Sequence, residues 1–432
     1  MKLLIRNGHV IDPANNRDGA FDVLVEDGKI KRVAARIDEA ADEVINAAGK
    51  WVVPGLIDLH VHFREPGFTK KETIATGSRA AAMGGFTTVC MMPNTKPVLD
   101  NEILIEYVKM KAEREAVINV LPIGAITKGQ NGEELADIGS MARVGICAIS
   151  EDGKSVDDAA LMKTAMKYAG MFNIPVFDHC EDRRLTGAGQ MHQGAQAALL
   201  GLAGISPESE EVIIARDIIL ARDVAAHLHI CHLSTIGGAQ LLREAKARGE
   251  NVTAEVCPHH FALCDEDIQD YDANYKMAPP LRSKADVEAM KRGLQNGTIE
   301  VIATDHAPHH IDDKNCEFAA AANGIVGLET AVALSITELV RGGWLTPMQL
   351  VEKMACNPAR ILGMDKGTLT EGADADIAII DADAKYTIDV NTFESKSKNS
   401  PFGGREVFGK VTHTVCGGRV VMADGVLLTA RA

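Results

Sequence analysis

The sequence predicts a (β/α)8 barrel carrying a small β-sandwich built from both ends of the chain, and three observations carry that prediction. Apolar strand-like runs alternate with helix-like segments about eight times over about 300 residues. The first and last segments share a different texture, short β-rich stretches broken by glycine turns. Several apolar runs in between end in His, Asp or Glu, the residue types expected where barrel strands reach the mouth. A doubly wound open sheet is the competing arrangement, but no Gly-x-Gly-x-x-Gly fingerprint accompanies the pattern.

Residues 1–53 supply one part of the sandwich. "KLLIRNGHVID", "FDVLVEDGKIKRVA" and "KWVVPG" are β-rich and separated by Asn-Gly-like and Asp-Gly turns. Residues 366–432 repeat this texture in "ADIAIIDAD", "GKVTHTVCGGRVVMADG" and "VLLT". Neither end makes a large core alone, so the two are expected to pair. Residues 54–365 then form the barrel. Its strands are expected at "GLIDLHVH", "TTVCMMP", "INVLPIGAI", "VGICAIS", "IPVFDHC", "HLHICHLS", "NVTAEVCPHH" and "EVIATDHAP". Helices are expected over Glu72–Gly84, Asn101–Glu115, Ala159–Gly170, Glu210–Ala226, Gly237–Arg248, Lys284–Gln295 and Leu328–Arg341. The segment His310–Asn323 follows the last strand end and reads equally as a mobile loop near the mouth or a plain surface connection.

The bulk numbers suit such a chain. At 432 residues it can hold one large domain and something smaller. A net charge of −15 disfavours nucleic-acid and anionic-membrane partners, which reward clustered Lys and Arg. Nine widely spaced cysteines, with no Cys-x-x-Cys pair, read as small reduced hydrophobes of a cytoplasmic protein. "MKLLIRNGHVIDP" lacks the apolar core of a secretory signal. No apolar run approaches the roughly 20 residues that span a membrane.

The strand ends carry the chemistry. Side chains alternate along a strand, so His60, His62 and Arg64 in "GLIDLHVHFREPG" project to one side, the barrel mouth. Two imidazoles there suit a metal ion, and Arg64 suits an anionic group. An isolated His-x-His is as often simply packed. Here "ICAISEDGK" ends in Glu151-Asp152, "IPVFDHCED" in His179, "HLHICHLST" in His232, and "EVIATDHAPHH" in Asp305, His306, His309 and His310. His227 and His229 lie an odd number of residues from His232 and are expected to face the other way. His259 and His260 are read as supporting or structural, and His9, His192 and His413 as solvated. Four histidines and two aspartates are too many for one tetrahedral site and suit two metals sharing a carboxylate. That arrangement implies hydrolysis of an amide-like bond.

At this point the residues resemble a known family. "DLHVHFREPG" and the barrel around it look like the amidohydrolase superfamily. "EPGFTKKETIATGSRAAAMGGFTTVCMMPNTKPVLDN", "KMAPPLRSKAD", "IATDHAPHH", "NGIVGLET", "NPARILG" and "SKSKNSPFGG" narrow the match to dihydroorotases of the bacterial class I type. The resemblance runs through essentially the whole chain. It implies a dizinc centre, with His60, His62 and Asp305 on one zinc and His179 and His232 on the other. Asp152 would bridge them together with a hydroxide, with Lys154 as a minor alternative bridge if carboxylated. It further implies Arg64, Asn94 and His309 on the substrate carboxylate, Asp305 as general base, and reversible conversion of L-dihydroorotate to N-carbamoyl-L-aspartate in pyrimidine synthesis.

Two positions depart from the family pattern. Ala278 stands where the "KMNPPLR" motif has Asn, and Asn323-Gly324 stands where Phe-Gly is usual in the loop that touches substrate. Two other functions compete: another cyclic amidohydrolase acting on hydantoin-like or allantoin-like rings, and an inactive scaffold for aspartate transcarbamoylase. Inactive relatives have usually lost metal ligands, whereas all six stand here. A homodimer, and association with aspartate transcarbamoylase, complete the expectations.

Overall fold

Strand Trp51–Pro54 joins the two parts of the molecule. It runs parallel to Lys2–Asp12 on one side and antiparallel to Ile377–Thr387 on the other. The two ends of the chain thereby enter one nine-stranded sheet, which forms the composite sandwich. The computed structural model describes residues 1–428. Beyond Ile377–Thr387 the sheet continues through Glu406–Cys416, Arg419–Ala423 and Val426–Leu427. The expected strand "VLLT" is therefore seen in part, and its Thr429 lies outside the described residues. Leu3, Ile5, Val25 and Val52 from one end share a buried cluster with Ile377, Ile379 and Val415 from the other. Gly55 then carries the chain into the barrel. Its N–H donates to the Asp376 carbonyl at 2.8 Å, and an added Cβ would lie 2.2 Å from Thr87 Oγ1, so only glycine fits.

Eight parallel strands follow. They are β1 (Leu56–Val61), β2 (Phe86–Met91), β3 (Asn119–Pro122, continued by Gly124–Ala125), β4 (Ile149–Ser150), β5 (Val176–Asp178), β6 (Leu228–Ile230), β7 (Val252–Val256) and β8 (Val301–Ile302). The ring closes where His62 N–H donates to the His306 carbonyl at 2.8 Å and Val61 bridges His306 in parallel. Asp58 reinforces the seam, accepting from the N–H groups of both His60 and Thr304.

Each strand is followed by a helix: α1 (Ile74–Met83), α2 (Glu102–Glu115), α3 (Ile138–Arg143), α4 (Ala159–Gly170), α5 (Glu208–Val224), α6 (Ile236–Ala247), α7 (Lys284–Asn296) and α8 (Ala331–Ser335, continued by a π-helical turn Ile336–Val340). Their starts are written locally. Thr73, Asn101, Asp158, Thr235 and Ser283 each accept a first-turn N–H through a side-chain oxygen. Of these eight, only α3, six residues long, has no counterpart among the expected helices.

The barrel is filled, not hollow. Ile57, Leu59, Cys90, Phe177, Cys231 and Val301 pack together in its interior. Strand β1 carries a bulge, because its register against β2 shifts between Asp58 and Val61. The extra residue lets Leu59 fill the interior while His60, directly after it, also points inward. Between β5 and α5 the chain makes an excursion with a small parallel pair, Met191–His192 with Gly204–Ile205. That excursion buries His192, which is 8% exposed and not solvated as expected. The segment His310–Asn323 contains a short helix, Ile311–Lys314. Lys314 Nζ ties it down by donating to the carbonyls of Lys276, Ala322 and Gly324.

Candidate metal centre

The carboxyl ends of five strands converge on Asp152. His60 Nε2 and His62 Nε2 each lie 3.3 Å from one of its oxygens, His179 Nδ1 lies at 3.4 Å and His232 Nε2 at 3.5 Å. Asp305 lies on one flank of this hub, 3.0 Å from His62 Nε2 and 3.5 Å from His60 Nε2. On the other flank His179 Nδ1 and His232 Nε2 are 2.8 Å apart. All six expected ligands are thus brought together and buried. His60 Nε2 and Asp152 Oδ1 have no hydrogen-bond partner there, although both are buried. Unpartnered buried imidazole and carboxylate atoms facing each other fit a cation between them.

The neighbours are sorted by what they bond. Glu151 turns away and accepts from Ile126 N–H, Thr127 N–H and the Thr127 hydroxyl, leaving Asp152 to face the centre. Lys154 Nζ donates to the Gln130 carbonyl at 2.7 Å, which draws it from the role of alternative bridge. His259 and His260 sit on the short helix Pro258–Ala262, where His260 Nε2 donates to the Pro279 carbonyl at 3.0 Å. Burial holds His259 down to about 4, so it is neutral.

Strand parity misplaced His229, and with it His227, whose Nε2 lies 3.0 Å from the same Thr253 hydroxyl that His229 Nδ1 meets at 2.9 Å. His229 does not face away from His232. Its Nε2 donates to Glu255 at 3.1 Å, and the other oxygen of Glu255 accepts from His60 Nδ1 at 2.7 Å, inside the barrel beneath the centre. The alternation ends before His232 because that residue adopts φ +32°, in the left-handed region. Arg64 (φ +60°) and Asp305 (φ +46°) share this conformation. Non-glycine residues held there are strained, and all three stand at strand ends of one site.

Glu255 is a partner that sequence reasoning did not single out, although a carboxylate inside the apolar run "NVTAEVC" was a usable signal. Burial acts to raise its pKa, but His60 and His229 hold it down to about 2. Glu181 plays the same part for His179, whose Nε2 lies 3.2 Å from its carboxylate. His62 is oriented by Asn94, whose Oδ1 accepts from Nδ1 at 2.9 Å. Orienting partners of this kind set the tautomer that presents the free nitrogen to a metal. Burial also opposes ionisation of Asp152 and Asp305, yet the facing histidines keep both carboxyls well below the usual carboxylate range.

A cavity of about 250 Å³ opens above the centre. All the residues expected to touch substrate line it: Arg64, Asn94, Ala278, His309, Asn323 and Gly324. Arg64 Nε donates to the Pro308 carbonyl at 3.2 Å, which aims the rest of its guanidinium fork into the cavity. His309 Nε2 donates to the Asn323 carbonyl at 2.8 Å and Nδ1 accepts from Lys71 at 3.2 Å. Burial, then Arg64 and Lys71, hold His309 down to about 2, so it is a neutral donor.

Sequence comparison places known proteins beside this geometry. The family described as Dihydro-orotase-like matches residues 49–237, and the Amidohydrolase family matches residues 220–422. A dihydroorotase of Pelotomaculum thermopropionicum is 54% identical over 427 residues, covering 99% of this chain and 100% of that protein. One of Acetivibrio thermocellus is 51% identical over 426 residues, with 99% and 100% covered. Among solved structures, an L-hydantoinase (dihydropyrimidinase) from Arthrobacter aurescens superposes with a TM-score of 0.90 at 26% identity, covering 99% of this chain and 97% of that one. A dihydropyrimidinase from Brevibacillus agri gives 0.87 at 25% identity, with 99% and 96% covered.

Proposed function

We propose that this chain, which belongs to the dihydroorotase family of cyclic amidohydrolases in pyrimidine biosynthesis, interconverts L-dihydroorotate and N-carbamoyl-L-aspartate at a metal centre built on Asp152. The observation that carries the reading is the approach of four imidazoles to within 3.5 Å of that one carboxylate, with Asp305 at its side and Arg64 across the cavity. His60, His62 and Asp305 would hold one divalent cation and His179 and His232 a second, with Asp152 shared. Two zinc ions are our assignment, supported by the imidazole-rich donor set. When bound, they supply a polarised amide carbonyl and an acidified water.

The chain's own residues do the rest. Asp305 takes a proton from the attacking water and returns it to the ring nitrogen as the ring amide C–N bond breaks. In ring closure the same carboxylate takes that proton back. Arg64, Asn94 and His309, whose single N–H is shared between the Asn323 carbonyl and the substrate, hold the substrate carboxylate and so fix the ring over the centre. Asn323, Gly324 and Ala278 wall the cavity, and Ala278 contributes no side-chain hydrogen bond. We assign the chemistry to residues 54–365 and a supporting role to residues 1–53 with 366–432, a division that the pairing of Trp51–Pro54 with Ile377–Thr387 supports.

All nine cysteines are free, which supports a reducing, cytoplasmic setting. No helix among the described residues is long and apolar enough to cross a membrane. The expected homodimer, and any association with aspartate transcarbamoylase, are read by sedimentation of the purified protein with and without that enzyme.

The function is tested by following hydrolysis of L-dihydroorotate by zinc-loaded and chelator-stripped protein, with hydantoin and allantoin in parallel. Metal-dependent turnover of dihydroorotate is expected. Turnover of only the rings that lack a carboxylate would reassign the substrate, and no turnover by folded, zinc-loaded protein would favour a scaffold.

A further inference from the structure

We propose that Asn399, in the C-terminal segment "SKSKNSPFGG", is a positioning residue that sets the carboxylate-binding end of the cavity. The inference rests on the reading of that cavity given above. The segment supplies no metal-type residue and no wall of the cavity, yet it runs directly behind it.

Asn399 is 6% exposed, and its side-chain amide is fully used. Oδ1 accepts from the His309 N–H at 3.0 Å. Nδ2 donates to the Ala307 carbonyl at 3.0 Å and to the Gly324 carbonyl at 3.0 Å. Its backbone carbonyl accepts from the Val326 N–H at 2.9 Å. A primary amide offers one acceptor and two donors in a fixed plane, which matches one N–H and two carbonyls. Asp at this position would set a carboxylate against two carbonyl oxygens. Ala would leave the buried His309 N–H and Ala307 carbonyl without partners, and the Gly324 carbonyl with Lys314 alone.

The two segments that Asn399 joins are the ones that carry the carboxylate grip. Residues 307–309 bear His309 and also hold Arg64, through the Pro308 carbonyl. Residues 323–324 bear the carbonyl that orients the His309 ring. The segments cross closely, since Gly324 has φ +127° and an added Cβ would lie 2.6 Å from Ala307 Cβ. Lys314 Nζ holds the Gly324 carbonyl from a second direction at 3.0 Å. A crossing this tight leaves little freedom while Asn399 pins it. Once it is released, Arg64 and His309 lose their common support together.

The metal end of the same segment has separate restraints. His306 is held by its bridge to Val61 and by Glu72, whose carboxylate lies 3.3 Å from Nε2. Loss of Asn399 is therefore expected to weaken substrate binding and leave the proton-transfer step in place.

The test uses full-length, zinc-loaded enzyme. Asn399→Ala and the isosteric Asn399→Asp are compared with wild type in steady-state kinetics, metal content and thermal unfolding. A KM for dihydroorotate about 10- to 100-fold higher, with kcat within about threefold and metal content unchanged, is expected. In an Arg64→Met, His309→Ala background the effect of Asn399→Ala should shrink to about twofold or less, because Asn399 acts through these two side chains. Independent multiplicative effects, or an unchanged KM, would overturn the proposal. The ¹⁵N resonances of the His309 ring provide a readout without turnover. They should shift in whichever Asn399 variant folds, and unchanged resonances would overturn the proposal. Wild-type protein that fails to hydrolyse dihydroorotate would instead refute the substrate reading, and the ring resonances would still decide the role of Asn399.

Discussion

His60 donates from Nδ1 to Glu255 at 2.7 Å across the barrel, from β1 to β7, and both side chains are completely buried. The bond fixes the tautomer that leaves Nε2 free toward Asp152 and Asp305. Replacing Glu255 by Gln should therefore lower metal affinity by about 10- to 100-fold while the ligands stay intact. Competition of the protein with a chelator of known affinity measures this. Equal affinity in the variant would mean that His60 is held well enough without its partner.

Asp305 reaches His62 at 3.0 Å and borders the cavity, so it can both bind metal and move a proton. Asp305→Ala should reduce kcat by at least about 10²–10⁴-fold with the fold retained. Metal content and unfolding temperature, measured on the same sample, separate loss of proton transfer from loss of the centre. Near wild-type turnover would show that another group is the base.

Arg64 presents the guanidinium expected to meet the substrate carboxylate. A charge-assisted hydrogen bond contributes about 1.5–3 kcal/mol, so Arg64→Met should raise KM for dihydroorotate by about 10- to 100-fold. Arg64→Lys should recover only part of this, because an ammonium lacks the planar fork. Isothermal titration with a non-hydrolysed carboxylate analogue reads the same loss directly. Undiminished binding would move the carboxylate elsewhere in the cavity.

Glu329 faces a second cavity, of about 500 Å³, beside the C-terminal strands. Burial pushes its carboxyl from 4.5 up to about 7, despite N–H bonds from Glu394 and Ser395. The folded value exceeds the unfolded one, so the folded state binds more protons between these limits. Its contribution to stability is present below about pH 4.5 and is lost as pH rises through about 7. Glu329→Gln is neutral throughout. Relative to wild type it should gain up to about 2 kcal/mol between about pH 5 and about pH 8, discounted for solvent in the cavity. Urea unfolding at the two pH values checks this, and a constant difference would place Glu329 in contact with water.

Much of the architecture was legible because the signals are local. Capping residues such as Thr73 and Ser283 mark helix starts within three residues of themselves, and apolar runs mark barrel strands wherever they fall. The short helix Ile138–Arg143 escaped because six residues carry too little periodicity. That His60, His62, Asp152, His179, His232 and Asp305 share one site was legible because a barrel sends its strand ends to one face, so residue type and position along the strand suffice.

Side-chain direction past a strand end was not legible. Parity sent His229 away from the centre, and the structure puts it on Glu255, because left-handed backbone at His232 breaks the alternation on which parity depends. Asn399 was equally hidden, since its partner His309 lies 90 residues away.

The sequence by itself determined the fold class, the family and which residues can bind metal, because these follow from periodicity, residue chemistry and their order along one chain. Only the tertiary structure decided that Asp152 is the hub, that Glu255 aims His60 and that Asn399 clamps two crossing segments. Each of these is a distance between residues far apart in sequence, and only the packed chain sets such distances.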